Sequence, residues 1–360
     1  MKRALALLAL VACGGSQRAD KQPVVTPIAH VHFDDDFGLI FVTAFVAGAP
    51  RTLLFDSGAD HMLLDPGVTA GSDVDMFIGP VPVNAHAVQV VSLHDFERTI
   101  GRPIDGIVGY DLLARYVVTI DYAAQELAFY DPKQAPTTGD AVPVMLQDRG
   151  ALVDVTLHDG ADVVDASVKV DTGSTDTLRL TASFVADHHL LASVPSVARP
   201  VGGVADGRIA KLSAIRLGSA TLGPLVIGYA DDHLPHAYAG TLGAELLRQF
   251  TVTFDYPHQR LLLAGRERPP ALTVDGSGLD IATFPDDFKR CQITAVVADS
   301  PAANAGIDAG DEIVAINGTP FSDLGLATLW SLLRQQGTLH LTIRHAGGER
   351  VATVRLRPLV

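Results

Sequence analysis

The sequence predicts a mainly β protein with two pseudo-twofold-related β-barrel lobes and a smaller α+β domain at its C-terminal end. Two features carry the prediction of duplicated lobes. A pattern of apolar residues and glycine recurs at constant spacing, and most apolar segments are short, rich in Val, Leu, Phe and Thr, and end in turn residues. After about residue 273 the pattern changes, which indicates a separate domain.

The composition excludes several classes of protein. The chain has 360 residues and a formal net charge of −14, and no run rich in Lys or Arg offsets this acidity, so nucleic acid is not an expected partner. Hydrophobic residues make up 48% and charged residues 19%, which excludes a disordered chain. Beyond the N-terminus no apolar stretch approaches the roughly 20 residues of a spanning helix, so we expect the body of the chain to be soluble.

The N-terminus carries the features of an export signal. Two basic residues are followed by a short apolar run, and residues 10–13 resemble the lipobox of bacterial lipoproteins. The resemblance implies a signal peptide over residues 1–12, lipidation of Cys13, a linker over residues 13–26 and attachment to the bacterial cell envelope, facing the periplasm or the surface. An ordinary secretory signal is the alternative, and the protein is exported under either interpretation.

Two segments of the chain occur twice. Residues 107–122 match residues 241–256, which lie 134 positions later, and residues 53–58 match residues 168–173, which lie 115 positions later. The difference of 19 residues is an insertion in the second copy. The duplication predicts two homologous lobes. We place lobe 1 at residues 27–133, lobe 2 at residues 140–268 and the C-terminal domain at residues 273–360.

Local patterns predict the main elements of these lobes. Strands are expected where β-branched and aromatic residues alternate before a turn, and a helix is expected where apolar residues follow a capping threonine, Thr181. A Pro-, Thr- and Gly-containing segment over residues 131–139 separates the lobes, and residues 266–270 end the second. The predicted strands are residues 41–46, 117–122, 152–157, 251–256 and 261–264, and the predicted helix is residues 182–192.

Each lobe contains an acid, a small hydroxyl residue and a glycine at the end of an apolar strand. These are residues 56–58 and 171–173, each followed at a distance by an apolar-apolar-Gly motif that ends at Gly109 or Gly243. Over residues 27–265 the pattern resembles the retropepsin-like and pepsin-like aspartic proteases. The resemblance implies two acid-protease lobes in one chain, each donating one loop to a shared catalytic centre, and therefore a monomer that is complete without a second subunit.

A pair of carboxyl groups has the chemistry that peptide hydrolysis needs. Two carboxylates within hydrogen-bond distance cannot both ionise cheaply, so they share one proton and supply an acid and a base together. Asp56 and Asp171 are the expected catalytic pair. The neighbouring glycines allow a tight turn with amides directed at the acids. By resemblance, the supporting residues are Ser57, Gly58, Thr172, Gly173 and Ser174, with the two hydroxyls of Ser57 and Thr172 cross-linking the loops.

The residues after the two motifs differ. Ala59 follows the first and Ser174 the second, and a serine hydroxyl bonded to Asp171 would favour the charged form of that carboxyl. We therefore hypothesise that Asp56 is predominantly the protonated partner, which a neutron structure with the proton on Asp171 would contradict. Asp60 matches the acid that binds the substrate backbone in retropepsins, and a turn residue is the alternative interpretation.

The resemblance also implies a hairpin flap over the substrate. Residues 202–208 have the composition of a mobile hairpin tip, whereas the corresponding connection in lobe 1, residues 66–75, is too short, so a single flap is expected. We assign substrate binding to Asp60, Gly109, Gly203 and Gly243. The sequence thus predicts an aspartic endopeptidase acting on envelope or exported proteins. The alternative is an inactive peptide-binding lipoprotein in which both motifs are structural turns.

The C-terminal segment contains a second set of motifs. Residues 300–307, 310–313 and 316–318 together resemble the PDZ domains of bacterial envelope proteases. A helix is predicted over residues 324–336, with Asp323 as its cap and Gly337 as its stop. A closing hairpin is predicted from residues 340–345 and 351–356.

The resemblance implies that this domain binds extended peptides by strand addition and holds a terminal carboxylate on backbone amides. The residues at that position are Gly278, Leu279, Asp280 and Ile281. Asp280 would repel an anionic terminus, so docking of an internal peptide or regulation of the lobes is left open.

The other polar clusters have no signature of a site. His188, His189, His233 and His236 lack the spacing of zinc ligands, so neither a metal nor another cofactor is expected. The acidic run at residues 34–36 reads as solvated rather than as a calcium loop. Cys13 and Cys291 cannot build a disulfide framework, and we expect Cys291 to be a small buried apolar side chain.

Overall fold

The computed structural model describes residues 25–69, 71, 73–85, 88–192, 196–198, 207–231, 238–285, 287–345 and 348–360. The protein is mainly β, as the sequence predicts. Within these residues no helix is both long enough and apolar enough to span a bilayer.

The first lobe is built on an eight-stranded sheet in the order β7-β6-β3-β4-β9-β5-β8, with β2 paired to β3. The first half of its strand β3 and the last three residues of its strand β4 are apolar and buried because both of their faces are covered there. Strands β1, β10 and β11 of this part of the chain belong instead to a sheet between the lobes. The elements are β1 (Ala29–His32), β2 (Asp34–Asp36), β3 (Leu39–Val46), β4 (Ala49–Phe55), β5 (Leu63–Leu64), β6 (Val74–Ile78), β7 (Val81–Ala85), β8 (Gln89–Val90), α1 (His94–Ile100), β9 (Gly106–Val108), α2 (Tyr110–Leu113), β10 (Val117–Asp121) and β11 (Glu126–Tyr130).

The second lobe repeats this plan in a ten-stranded sheet in the order β17-β18-β21-β16-β22-β15-β14-β19-β20, with β13 paired to β14. A 3₁₀ turn, Pro132–Gln134, connects the lobes, and a second, Tyr256–His258, follows β23. The elements are β12 (Asp140–Pro143), β13 (Met145–Gln147), β14 (Gly150–Asp159), β15 (Asp162–Asp171), β16 (Leu178–Thr181), α3 (Ala182–Asp187), β17 (Ser196–Ala198), β18 (Arg208–Leu212), β19 (Ala214–Leu217), β20 (Ala220–Leu222), β21 (Leu225–Ala230), β22 (Gly240–Gly243), α4 (Ala244–Leu247), β23 (Phe250–Asp255) and β24 (Arg260–Gly265).

A third sheet, in the order β1-β11-β10-β23-β24-β12, joins the two lobes and contains their pseudo-twofold axis. In its centre β10 pairs antiparallel with β23, so that Thr119 faces Thr253. These two residues are equivalents in the sequence repeat, and their hydroxyls lie 2.7 Å apart. Since an antiparallel pair places equivalent residues opposite each other only at a twofold axis, the axis passes between these two threonines. One continuous apolar core extends through both lobes and this sheet.

The C-terminal domain has its own apolar core, which includes the fully buried thiol residue Cys291, as predicted. Its sheet has the order β25-β26-β27-β29-β30, with β28 paired to β27. The last residues of the chain, Leu359 and Val360, leave this domain and pack against Ile209 and Ala230 of the second lobe. The elements are β25 (Leu279–Phe284), β26 (Asp287–Val296), α5 (Pro301–Asn304), β27 (Glu312–Ile316), β28 (Thr319–Pro320), α6 (Phe321–Leu333), β29 (Gly337–His345) and β30 (Gly348–Leu356).

Two predicted helices have different bounds in the structure. Thr181 caps α3 as expected, since its hydroxyl accepts a hydrogen bond from the Phe184 amide, but the helix ends at Asp187 because His189 and then Leu191 adopt left-handed backbone angles. Helix α6 spans Phe321–Leu333 and has a kink at Gly325, whose φ is +73°. Asp323 is therefore not its cap, contrary to the prediction.

The acidic run at residues 34–36 is not a solvated stretch. It forms the short strand β2, and only Asp34 is exposed. The carboxylate of Asp35 accepts a hydrogen bond of 2.6 Å from the Gly38 amide, and that of Asp36 lies 3.0 Å from the Arg102 guanidinium. These two side chains therefore stabilise a turn and bind an arginine.

Candidate active site

The two predicted aspartates lie at equivalent ends of two strands. Asp56 follows β4, and Asp171 is the last residue of β15. Each strand pairs in parallel with the short strand that precedes α2 or α4, so β9 and β22 hold the two loops in the same way. The loops therefore approach each other across the pseudo-twofold axis.

The two carboxyl groups share a backbone donor. The amide nitrogen of Gly173 lies 3.0 Å from Oδ1 of Asp171 and 3.2 Å from Oδ1 of Asp56, and the two carboxyl groups hydrogen-bond to each other. The Gly58 amide donates a further bond of 2.7 Å to Oδ1 of Asp56. The side chains predicted to act together are thus in contact.

A reciprocal set of hydrogen bonds joins the loops beneath the carboxyl groups. The Ser57 amide donates to Oγ1 of Thr172 at 2.9 Å, and the Thr172 amide donates to Oγ of Ser57 at 3.1 Å. Each hydroxyl in turn donates to a carbonyl of the opposite strand, from Ser57 to Val170 and from Thr172 to Phe55. Both side chains are fully buried. Because all four polar groups are paired across the axis, the loops are held in one relative position.

Gly58 and Gly173 have no room for a side chain. A Cβ on Gly58 would lie 2.6 Å from the Asp171 carboxyl, and a Cβ on Gly173 would lie 2.4 Å from the Asp56 carboxyl. These distances are below any van der Waals contact, so the close approach of the acids requires glycine at both positions.

The environment of Asp56 favours its protonated form. Burial, the neighbouring charge of Asp171 and the hydrogen bond that protonated Asp56 donates to that side chain raise the pKa of Asp56 to about 8, against the opposing effects of the Gly58 amide and the Lys169 ammonium. A pair of this kind shares one proton near neutral pH. The direction of the shift supports the hypothesis that Asp56 carries the proton.

The reason given for this asymmetry from the sequence is wrong. The Ser174 hydroxyl does not bond to Asp171 but forms hydrogen bonds with Asp176, whose amide donates to it at 3.3 Å and whose carboxylate lies at 3.4 Å. Burial and the charge of Asp171 favour the protonated form of Asp56, whereas Lys169, a residue that the motif analysis missed, lies near the dyad and opposes it.

Gly109 and Gly243 are tightly packed. Both are buried beneath the dyad loops, where a Cβ would lie 2.1 Å from the Asp56 carbonyl and 2.3 Å from the Asp176 carbonyl. This close packing lets α2 and α4 lie against those loops, and substrate binding by the two glycines stays a prediction. Of the other predicted residues, Asp60 is largely exposed beside His61, and Gly203 and Cys13 lie outside the described residues.

An arginine missed by the sequence analysis joins the lobes beside the dyad. Arg149, in the turn before β14, donates to the Asp60 carbonyl and the Asp111 carboxylate of lobe 1. Its guanidinium also stacks on the Tyr110 ring, 4.6 Å from the ring centre. The equivalent of Asp111 in lobe 2 is the buried Glu245, which is bound at 3.5 Å by Arg248 of the same lobe and at 3.2 Å by Arg334, the residue after α6. The C-terminal domain therefore supplies one of the two arginines that bind this acid.

The groove expected to bind peptides in the C-terminal domain is covered. Helix α1 of lobe 1 packs on the edge strand β25, where Nε of Arg98 donates to the Thr283 carbonyl at 3.1 Å and the Thr283 hydroxyl donates back to the Arg98 carbonyl at 3.2 Å. Gly101 packs against Leu326 of α6. Ile281, Ala282 and Thr283 are buried, so an added strand cannot reach this edge without displacing α1.

The amides of the loop before β25 are also occupied. The Asp275 carboxylate accepts hydrogen bonds from the amides of Ser277 at 2.8 Å and Gly278 at 3.1 Å, and the Ser277 hydroxyl accepts from the Leu279 amide at 3.0 Å. Asp280, expected to repel a peptide terminus, instead accepts a bond of 2.6 Å from Thr294. An internal carboxylate thus fills the site predicted for a terminal one.

The full-length protein is therefore expected not to bind the free C-termini of peptides. Fluorescence anisotropy with labelled peptides that end in an apolar residue should give no saturable binding below about 1 mM. In the variant Asp275→Ala, which frees two amides, binding should still be absent because α1 continues to cover the edge strand. Saturable binding to the unmodified protein that is lost on C-terminal amidation would contradict the expectation.

Comparison with known proteins identifies one domain. The family model described as PDZ domain matches residues 292–344, so the predicted PDZ domain is confirmed. No curated protein matches the chain in sequence. Within the described residues no group of three or more His, Cys, Asp or Glu side chains could hold a metal ion.

Two solved structures are similar to parts of the chain. The aspartic proteinase from Irpex lacteus aligns with a TM-score of 0.43 and 14% identity over 66% of this chain and 97% of that protein. The photosystem II D1 C-terminal processing protease aligns with a TM-score of 0.23 and 24% identity over 25% of each chain.

Proposed function

We propose that this protein is an aspartic endopeptidase in which Asp56 and Asp171 activate a water molecule for attack on a peptide bond. The observation that carries the proposal is the shared Gly173 amide, which lies within 3.2 Å of a carboxyl oxygen of each aspartate. A partly buried pair of carboxyl groups lowers the stability of the fold, which points to a functional role, and this pair has the one-proton state that acid–base catalysis needs.

The geometry suggests a role for each carboxyl group. Ionised Asp171 accepts a proton from the water as the water oxygen bonds to the carbonyl carbon, and Asp56 gives its proton to the carbonyl oxygen. In the resulting diol, Asp171 passes its proton to the amide nitrogen. Asp56 takes back a proton from a hydroxyl group as the C–N bond breaks, which releases a carboxylic acid and an amine and restores the starting state.

The proposal includes the location and substrates predicted from the sequence. The lipobox-like residues that end at Cys13 support export and attachment to the cell envelope, which would give the enzyme access to envelope or exported proteins. The competing function is peptide binding without cleavage. The covered groove of the PDZ domain disfavours that alternative for this domain but does not bear on the cleft between the lobes.

Cleavage and inhibition test the proposal together. We expect the purified protein to cleave an unfolded protein into fragments whose new termini mass spectrometry detects. A peptide containing a statine-type hydroxyl should block the reaction and bind at least about 100-fold more tightly than the matched peptide without it, since it resembles the tetrahedral state. Equal affinity for both peptides together with no cleavage would favour the binding function.

A further inference from the structure

We propose that Lys169 is a positioning residue of the dyad, which holds the Gly58 loop and places a positive charge beside Asp56. The inference deepens the proposed function and rests on it. Lys169 lies on β15, two residues before Asp171, and its Nζ donates a hydrogen bond of 2.6 Å to the Gly58 carbonyl of the opposite lobe. It therefore reaches from the loop of one acid to the loop of the other.

The contact acts on a glycine that already binds the dyad. The Gly58 amide donates to Asp56 at 2.7 Å. A Cβ on Gly58 would collide with the Asp171 carboxyl, so this residue also lies against the second acid. With the carbonyl of the same residue bound to Lys169, the loop is held on both sides of Gly58. Gly150 leaves room for the Lys169 side chain, since a Cβ on Gly150 would lie only 3.2 Å from its Cε.

The pseudo-symmetry shows that the lysine is not required by the fold. The equivalent residue in lobe 1 is Leu54, which is fully buried in an apolar cluster. One strand of the duplicated pair thus carries an apolar side chain and the other an ammonium group at the same position. A residue needed only for packing would be expected to be apolar in both lobes, so the difference points to a role at the dyad.

The other charged and titratable groups considered near Asp56 do not supply the positive charge that Lys169 provides. Asp171 has the opposite charge, and Arg149, next to Gly150, binds Asp60 and Asp111. The Tyr256 phenol stays neutral because burial and the nearby aspartates raise its pKa. Lys169 is the cation that lowers the pKa of Asp56 against the effect of burial.

The test follows the titration of Asp56 directly. The carboxyl carbon of Asp56 can be observed by NMR in labelled full-length protein and assigned from its absence in Asp56→Asn. In Lys169→Met the upper apparent pKa of the dyad should rise by about half a unit. In Lys169→Arg, which keeps the charge, it should stay near the original value. Lys133→Met, at an exposed site in the connection between the lobes, is the matched control and should change nothing.

Activity provides a second readout. With cleavage measured against pH, the alkaline limb for kcat/KM should move upward in Lys169→Met by the same amount and should recover in Lys169→Arg. Should the methionine variant not fold, Lys169→Gln offers a second neutral replacement. An unchanged titration of Asp56 in a folded neutral variant would overturn the inference. Because the NMR experiment needs no substrate, absence of cleavage would count against the proposed function and not against the role of Lys169 as a positioning residue.

Discussion

Asp56→Asn and Asp171→Asn are each expected to lower kcat/KM for cleavage of an unfolded protein by about 10³-fold or more. Asparagine has nearly the same shape as aspartate, so the Gly58 and Gly173 amides keep an acceptor oxygen in place. It cannot exchange a proton, and each variant therefore lacks either the acid or the base. Mass spectrometry of the cleavage products under single-turnover conditions measures the loss.

A matched control separates this effect from any general effect of the substitution. Asp154 is exposed on β14, outside the cleft, and Asp154→Asn should cleave at the original rate. Thermal unfolding should show that all three variants are folded. If one dyad variant retained the activity of the control, the shared-proton mechanism would be wrong, because neither carboxyl group alone can act as both acid and base.

Gly173→Ala is expected to reduce cleavage by about 10²-fold or more while the protein remains folded. The added methyl carbon would lie 2.4 Å from the Asp56 carboxyl, so either that side chain or the loop must move. Displacement of a reacting group by about 1 Å costs rates of this size. The shift should also separate the two carboxyl groups and bring the pKa of Asp56 down from about 8 towards its ordinary range.

Gly265→Ala is the control for this variant. Gly265 ends β24 and lacks a positive φ, and a methyl group added to it would have no heavy atom of another segment within 4 Å, so alanine fits there without strain. The rate of cleavage and the pKa of Asp56 from its NMR titration are measured in both alanine variants. Full activity in Gly173→Ala would show that the close contact of the two loops is not needed for the reaction.

The sequence was sufficient to predict the dyad because the signal is a repeat. Asp56 and Asp171 stand at the same place in two copies of one pattern, and symmetry then requires that they meet near an axis. Strands β10, β23 and β24 of the interface sheet were predicted from their apolar residues and the turn residues at their ends, whereas β1, β11 and β12 were not.

Other features depend on contacts that no local pattern indicates. Lys169 alternates with two buried valines and therefore reads as an outward-facing strand residue, although comparison with Leu54 in the other copy would have drawn attention to it. Docking of α1 on β25 joins segments about 185 residues apart, and neither segment shows it alone. Helix α3 ends early because of the left-handed backbone at His189, while the apolar spacing continues to Leu191.

The facing pair Thr119 and Thr253 has a consequence for how the molecule can diversify. If two separate but identical subunits met at such an axis, every substitution would occur on both sides of the cleft at once. In a single polypeptide each half can change independently. Two differences between the halves illustrate this. Lys169 in lobe 2 is equivalent to Leu54 in lobe 1, and Arg334 of the C-terminal domain binds lobe 2 only on the side of Glu245. A homodimer with this geometry could not acquire such differences.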